Sequence, residues 1–127
     1  MDSKELDRVV EEKIESYHPK GGLDVTSRFF LSLANINHPN VREHSQRVAL
    51  LAEESAKRLR MDEKACFFAG ILHDTGKIIL PYDLFDGRDI TNEEYELVKK
   101  HSRMGFEAIK DIHLFISLCS GAHHNLY

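Results

Sequence analysis

Two cysteines in 127 residues, Cys66 and Cys119, are too few and too far apart for a disulfide framework. Both lie in apolar helical stretches, so free buried thiols in a reducing compartment are expected. There is no secretory pattern and no apolar run of about eighteen residues, which points to a cytoplasmic protein without a membrane partner. Basic charge is not clustered either. With 17 Lys and Arg against 21 Asp and Glu, the formal net charge of −4 argues against a nucleic-acid polymer as partner. No segment alternates at period two, nothing repeats, and nothing is of low complexity. The chain is long enough for one domain with one core, and the expected class is all-α. What the sequence does have is eight histidines.

Helical spacing organises the chain. Leu6, Val9, Val10 and Ile14 mark the apolar face of a first helix, ended by "PKGG". A second runs through "LDVTSRFFLSLANI", with Asp24 expected as its N-cap and Leu23 as the staple before it. Pro39 suits the first turn of a third helix reaching about Leu59. A fourth starts near Asp62 and runs into His73 and Asp74, with Thr75–Gly76 as its end and Gly76 supplying a left-handed turn. "GKIILPYDLFDGRDI" reads as loop. Thr91 and Glu94 form a capping box for a fifth helix to about Lys110, and Asp111 leads a sixth.

The histidines divide by position. On the third helix His44 is in line with Val41, Val48 and Leu51, the expected buried stripe. His101 is in line with Leu97, Met104, Ala108 and Ile112 on the fifth, where Gly105 would allow close approach of another helix. His123 follows Ile112, Ile116 and Cys119 on the sixth, and His73 closes the apolar run of the fourth. His18 and His38 precede prolines and are expected in solvated turns, and His113 on a polar face. His124 adjoins His123 at a helix end. Several buried imidazoles would each need a separate polar partner, whereas one cation serves them all. Imidazole and carboxylate together suit a transition metal better than calcium. His44, His73, Asp74, His101 and His123 are therefore expected to converge on one point between the helices.

With "HSQRVALLAEESAKRL", "GILHDTGKIILPYDLF", "ITNEEYELVKKHSRMG" and the final "HH" in this order, the chain resembles the HD superfamily of metal-dependent phosphohydrolases, and within it the HD-GYP branch. The resemblance runs from about Val41 to His124. It implies a compact helical bundle with a metal site between helices, residues 38–127 forming the HD-type unit and residues 1–37 the helices before it. It implies metal ligation by His44, His73, Asp74, His101, His123 and His124, with one or two ions of Mn, Fe, Zn, Ni or Mg. Asp74 would be the bridging catalytic carboxylate and Lys77 the contact to a substrate phosphate. The implied reaction is hydrolysis of a phosphate ester of a nucleotide or cyclic dinucleotide, by a water that the metals acidify.

Three features depart from the branch. The Gly-Tyr-Pro signature does not follow the double histidine, Asn40 stands where members with a third metal carry Glu, and a final Asp ligand is missing. Two other readings of the same ligand set follow, a non-catalytic signalling module and a di-iron oxygenase. Since the sequence stops at "AHHNLY", the natural polypeptide is expected to continue into a helix carrying that Asp, or a homodimer to cover the open side.

Overall fold

A computed structural model describes residues 1–19 and 21–79, together with positions 91–93, 96, 100 and 107. Asp2 opens the first helix, its carboxylate accepting from the Glu5 N–H at 2.9 Å, and α1 spans Ser3–Tyr17. His18 ends α1 in the left-handed region at φ 42°, and Gly21 and Gly22 continue the turn at φ 74° and 78°. Glycine adopts that conformation without steric cost. The second helix, α2, spans Leu23–Asn37, and its N-cap is Gly22 rather than the expected Asp24. The two left-handed glycines already turn the chain into the helix. Asp24 then lies in the first turn, where a carboxylate still favours the helix dipole and stands 3.8 Å from Arg28.

The next helix, α3, spans Pro39–Leu59 and is separated from α2 by one residue. His38 belongs to both. Its N–H donates to the Ala34 carbonyl at 2.6 Å, and its carbonyl accepts from the Arg42 N–H at 3.1 Å. His38 is buried, against the expectation of a solvated turn, because this corner is held by both helices and faces the interior. His18 is exposed, as expected. The end of α3 is closed by Arg60 at φ 57°, with bonds from Arg60 N–H to Lys57 and from Met61 N–H to Ala56. That pairing is the Schellman motif, built here on arginine.

The fourth helix, α4, spans Glu63–Leu72, capped by Asp62, whose carboxylate accepts from the Ala65 N–H at 3.0 Å. Every residue from Phe67 to Leu72 is buried, so α4 is the central helix. Around it, Leu6, Val10 and Ile14 of α1, Phe30 and Leu31 of α2, and Val41 and Ala49 of α3 form one apolar cluster with Phe67, Phe68, Ile71 and Leu72. The helices of residues 1–37 thus share their core with those that follow.

Small residues govern the approach of α3 to α4. A Cβ on Gly70 would lie 2.5 Å from the Cα of Ala49, well inside contact distance. The buried residues of α3 are accordingly Val41, Ser45, Ala49 and Ala56, with Gln46 turned to Asp7 of α1 at 2.9 Å. This corrects the expected phase, in which His44, Val48 and Leu51 pointed inward. Leu51 and His44 are exposed, because the tight crossing admits only small side chains and leaves the larger ones at its edge.

After α4 the chain does not leave as a loop. It passes through His73 and Asp74 into a 3-10 helix, Thr75–Ile79. The Thr75 hydroxyl donates to the Leu72 carbonyl at 2.6 Å and the Lys77 N–H to the Asp74 carbonyl at 2.9 Å. Gly76 is part of this turn and supplies no left-handed residue. Among the described residues all regular structure is helical, so the fold is all-α. No described helix is long and apolar enough to cross a membrane. Asn92, Glu93, Glu96 and Glu107 are helical where the fifth helix was expected, and the Lys100 N–H donates to the Glu96 carbonyl at 3.3 Å in a turn; the rest of that helix and the sixth, with Gly105, His113 and Cys119, lie outside the described residues.

Candidate metal centre

His44 projects from the second turn of α3, and His73 and Asp74 stand where α4 gives way to the 3-10 turn. The tight crossing at Gly70 and Ala49 brings these two places together. The rings of His44 and His73 have centroids 5.3 Å apart. Asp74 is the buried member, with 1% of its side chain exposed, while that of His73 is 12% and that of His44 53% exposed.

One atom collects the contacts. Asp74 Oδ2 lies 3.0 Å from His73 Nε2, 3.4 Å from His44 Nε2 and 3.2 Å from Lys77 Nζ. On its other side the His73 ring approaches the Gly70 carbonyl, Nδ1 to O at 2.7 Å. A carbonyl oxygen only accepts, so Nδ1 carries the hydrogen and Nε2 is the nitrogen turned to the carboxylate. An imidazole nitrogen 3.0 Å from a carboxylate oxygen needs positive charge between them, a proton or a metal ion. Fixing of the far ring nitrogen by a backbone carbonyl is the arrangement typical of metal-ligating histidines.

His44, His73 and Asp74 each offer a ligand atom, and these lie within 4.8 Å of one another. Two imidazoles and a carboxylate at that spacing fit a single divalent transition ion with coordination positions left over. Of the residues expected to converge, these three do. His101, His123 and His124 lie outside the described residues.

Two contributions were not visible in the sequence. Lys77 is expected there as a substrate contact, yet it stands against Asp74 itself, with 19% of its side chain exposed. Gly70 sets the approach that joins the ligands, whereas the sequence alone suggested close approach at Gly105. A glycine inside an otherwise apolar helical run is the signal that marks it.

Residues 41–126 match the sequence profile of the HD domain. The chain belongs to the HD domain family. This family generally comprises phosphohydrolases, and its domains bind divalent metals. Over 62 residues the chain is 47% identical to ribonuclease Y of Helicobacter pylori, a stretch covering 49% of this chain and 11% of the relative. Over 64 residues it is 36% identical to the 3'3'-cGAMP-specific phosphodiesterase 1 of Vibrio cholerae, covering 47% of this chain and 15% of the relative. The chain thus spans a small part of the length of these curated relatives. No solved structure matches it.

Proposed function

We propose that this HD domain hydrolyses a phosphodiester of a nucleotide or cyclic dinucleotide with a divalent metal as cofactor. The observation that supports the reading best is the convergence of His44, His73 and Lys77 on Asp74 Oδ2, with the far nitrogen of His73 fixed by the Gly70 carbonyl. His44, His73 and Asp74 hold the ion, and His101, His123 and His124 complete the ligand set. The ion is one of Mn, Fe, Zn, Ni or Mg. When bound, it supplies a Lewis acid that acidifies a water and draws charge from the phosphoryl oxygens.

The chain's own residues do the rest. Asp74 brings a negative charge that burial makes effective. His73 is orientated before the ion arrives. Lys77 offers a point charge to a phosphate oxygen. The names of the two relatives denote cleavage of RNA and of a cyclic dinucleotide, and a phosphodiester between nucleotides is the bond common to both. The net charge of −4 favours the small substrate over the polymer.

The test is turnover of bis(4-nitrophenyl) phosphate, then of cyclic dinucleotides and RNA, by the chain loaded with each of the five metals. The expected result is metal-dependent hydrolysis of the small diesters. Metal-loaded protein that cleaves no phosphodiester would overturn the reading.

A further inference from the structure

We infer that Lys77 and the metal ion compete for one carboxylate oxygen, so that Lys77 sets how tightly the site takes its cation. This rests on the reading of His44, His73 and Asp74 as a metal site. The ammonium stands 3.2 Å from Asp74 Oδ2, the same oxygen that both imidazoles face. Local backbone geometry puts it there. The Lys77 N–H bonds to the Asp74 carbonyl in the 3-10 turn, and at three residues per turn the side chain of Lys77 lies back over Asp74.

A buried carboxylate oxygen offers roughly two lone-pair directions. A divalent ion ligated there would sit about 2.0–2.2 Å from it. An ammonium and a divalent ion on one buried oxygen repel strongly, because little solvent screens them. One must leave. The lysine can, since its stem is flexible and its side chain reaches solvent. Displaced from Asp74, the ammonium remains tethered at the mouth of the site, where a phosphate oxygen is its natural next partner. Cation capture thereby creates the anion contact, and the two binding events are coupled in both directions.

The experiment measures the Mn²⁺ dissociation constant of the full chain from the electron paramagnetic resonance signal of free Mn²⁺. The proteins are wild type, Lys77→Met and, as a control, Arg47→Met. Arg47 is a cation one turn beyond His44 that pairs with Glu43 at 2.8 Å rather than with Asp74. Lys77→Met is expected to bind Mn²⁺ about tenfold more tightly than wild type. Arg47→Met is expected to change affinity by less than about twofold, as a screened surface charge would. Acetic anhydride labelling, read by mass spectrometry, should modify Lys77 of the wild type faster with Mn²⁺ present than without it. Equal affinity of wild type and Lys77→Met, or labelling of Lys77 indifferent to Mn²⁺, overturns this inference and leaves the metal site standing. Failure of both proteins to bind Mn²⁺ overturns the inference together with the metal reading.

Discussion

Asp74 is a carboxylate placed where water cannot solvate it, and its partners show what its burial is for. A buried carboxylate is costly unless charge or hydrogen bonds compensate it. Here two imidazoles and an ammonium do so on one oxygen. Asp74→Asn keeps the shape and removes the charge. It should lower metal affinity by more than the roughly 10–100-fold typical of losing an outer-shell partner, and abolish hydrolysis, as checked by metal analysis and diester turnover. Tyr17 makes a different prediction. Its ring packs against Phe67 and Phe68, its hydroxyl donates to Glu53, and Glu53 also pairs with Lys13 at 2.6 Å. Burial first, and the Glu53 carboxylate second, push the phenol well above its ordinary pKa. A group raised in the folded state contributes fully below its unfolded value, about 10, and that contribution fades as pH rises above it. Stability should therefore fall from about pH 10 upward. In Tyr17→Phe the decline should be shallower and the neutral-pH stability lower by about 1 kcal/mol. Urea unfolding at several pH values measures both. At this scale the sequence showed the His73–Asp74 pair plainly, since adjacent ionisable residues inside an apolar run are conspicuous. It did not show that Lys77 closes on Asp74, because that depends on a 3-10 turn where a loop was expected.

Helix ends and helix crossings decide how well the elements were legible. The third and fourth helices begin and end where expected because Pro39 and Asp62 are unambiguous start signals. The inward face of α3 was misread by one position, and the reason is physical. Periodicity weighs large apolar residues, while this crossing is made by Ala49 and Gly70, whose value lies in being small. Likewise His38 has the local signature of an exposed pre-proline turn, and nothing local records that the corner faces the core. The crossing carries its own prediction. Gly70→Ala forces a Cβ to within 2.5 Å of the Ala49 backbone, so the helices must separate. The expected cost is about 1–3 kcal/mol, with weaker metal binding because His44 moves away from His73. Thermal unfolding and metal titration of the same preparation read the two effects. At the far end of α3, Arg60→Gly relieves a left-handed arginine and should stabilise the protein by about 1 kcal/mol. A rise in the denaturation midpoint without a change in slope would confirm it.

For the whole molecule, the site is a joint rather than a pocket on one element. The three candidate ligands come from the beginning of α3 and the end of α4, so an ion bound there would hold the native arrangement and would have no comparable site in the unfolded chain. At a free metal concentration about 100 times the dissociation constant, the folded state should gain about 2.7 kcal/mol. The melting temperature should rise by several degrees with metal and fall back on addition of EDTA. Asp74→Asn should show neither change. The capture of such an ion would be unequally prepared. Asp74 and His73 extend from the end of α4 at which every residue from Phe67 to Leu72 is buried, and His73 is further tied to the Gly70 carbonyl, so both are anchored to the core. His44 stands at the edge with half its side chain in solvent. Of these three side chains, His44 would therefore lose the most entropy when a cation is gripped, an outer arm closing against a fixed jaw.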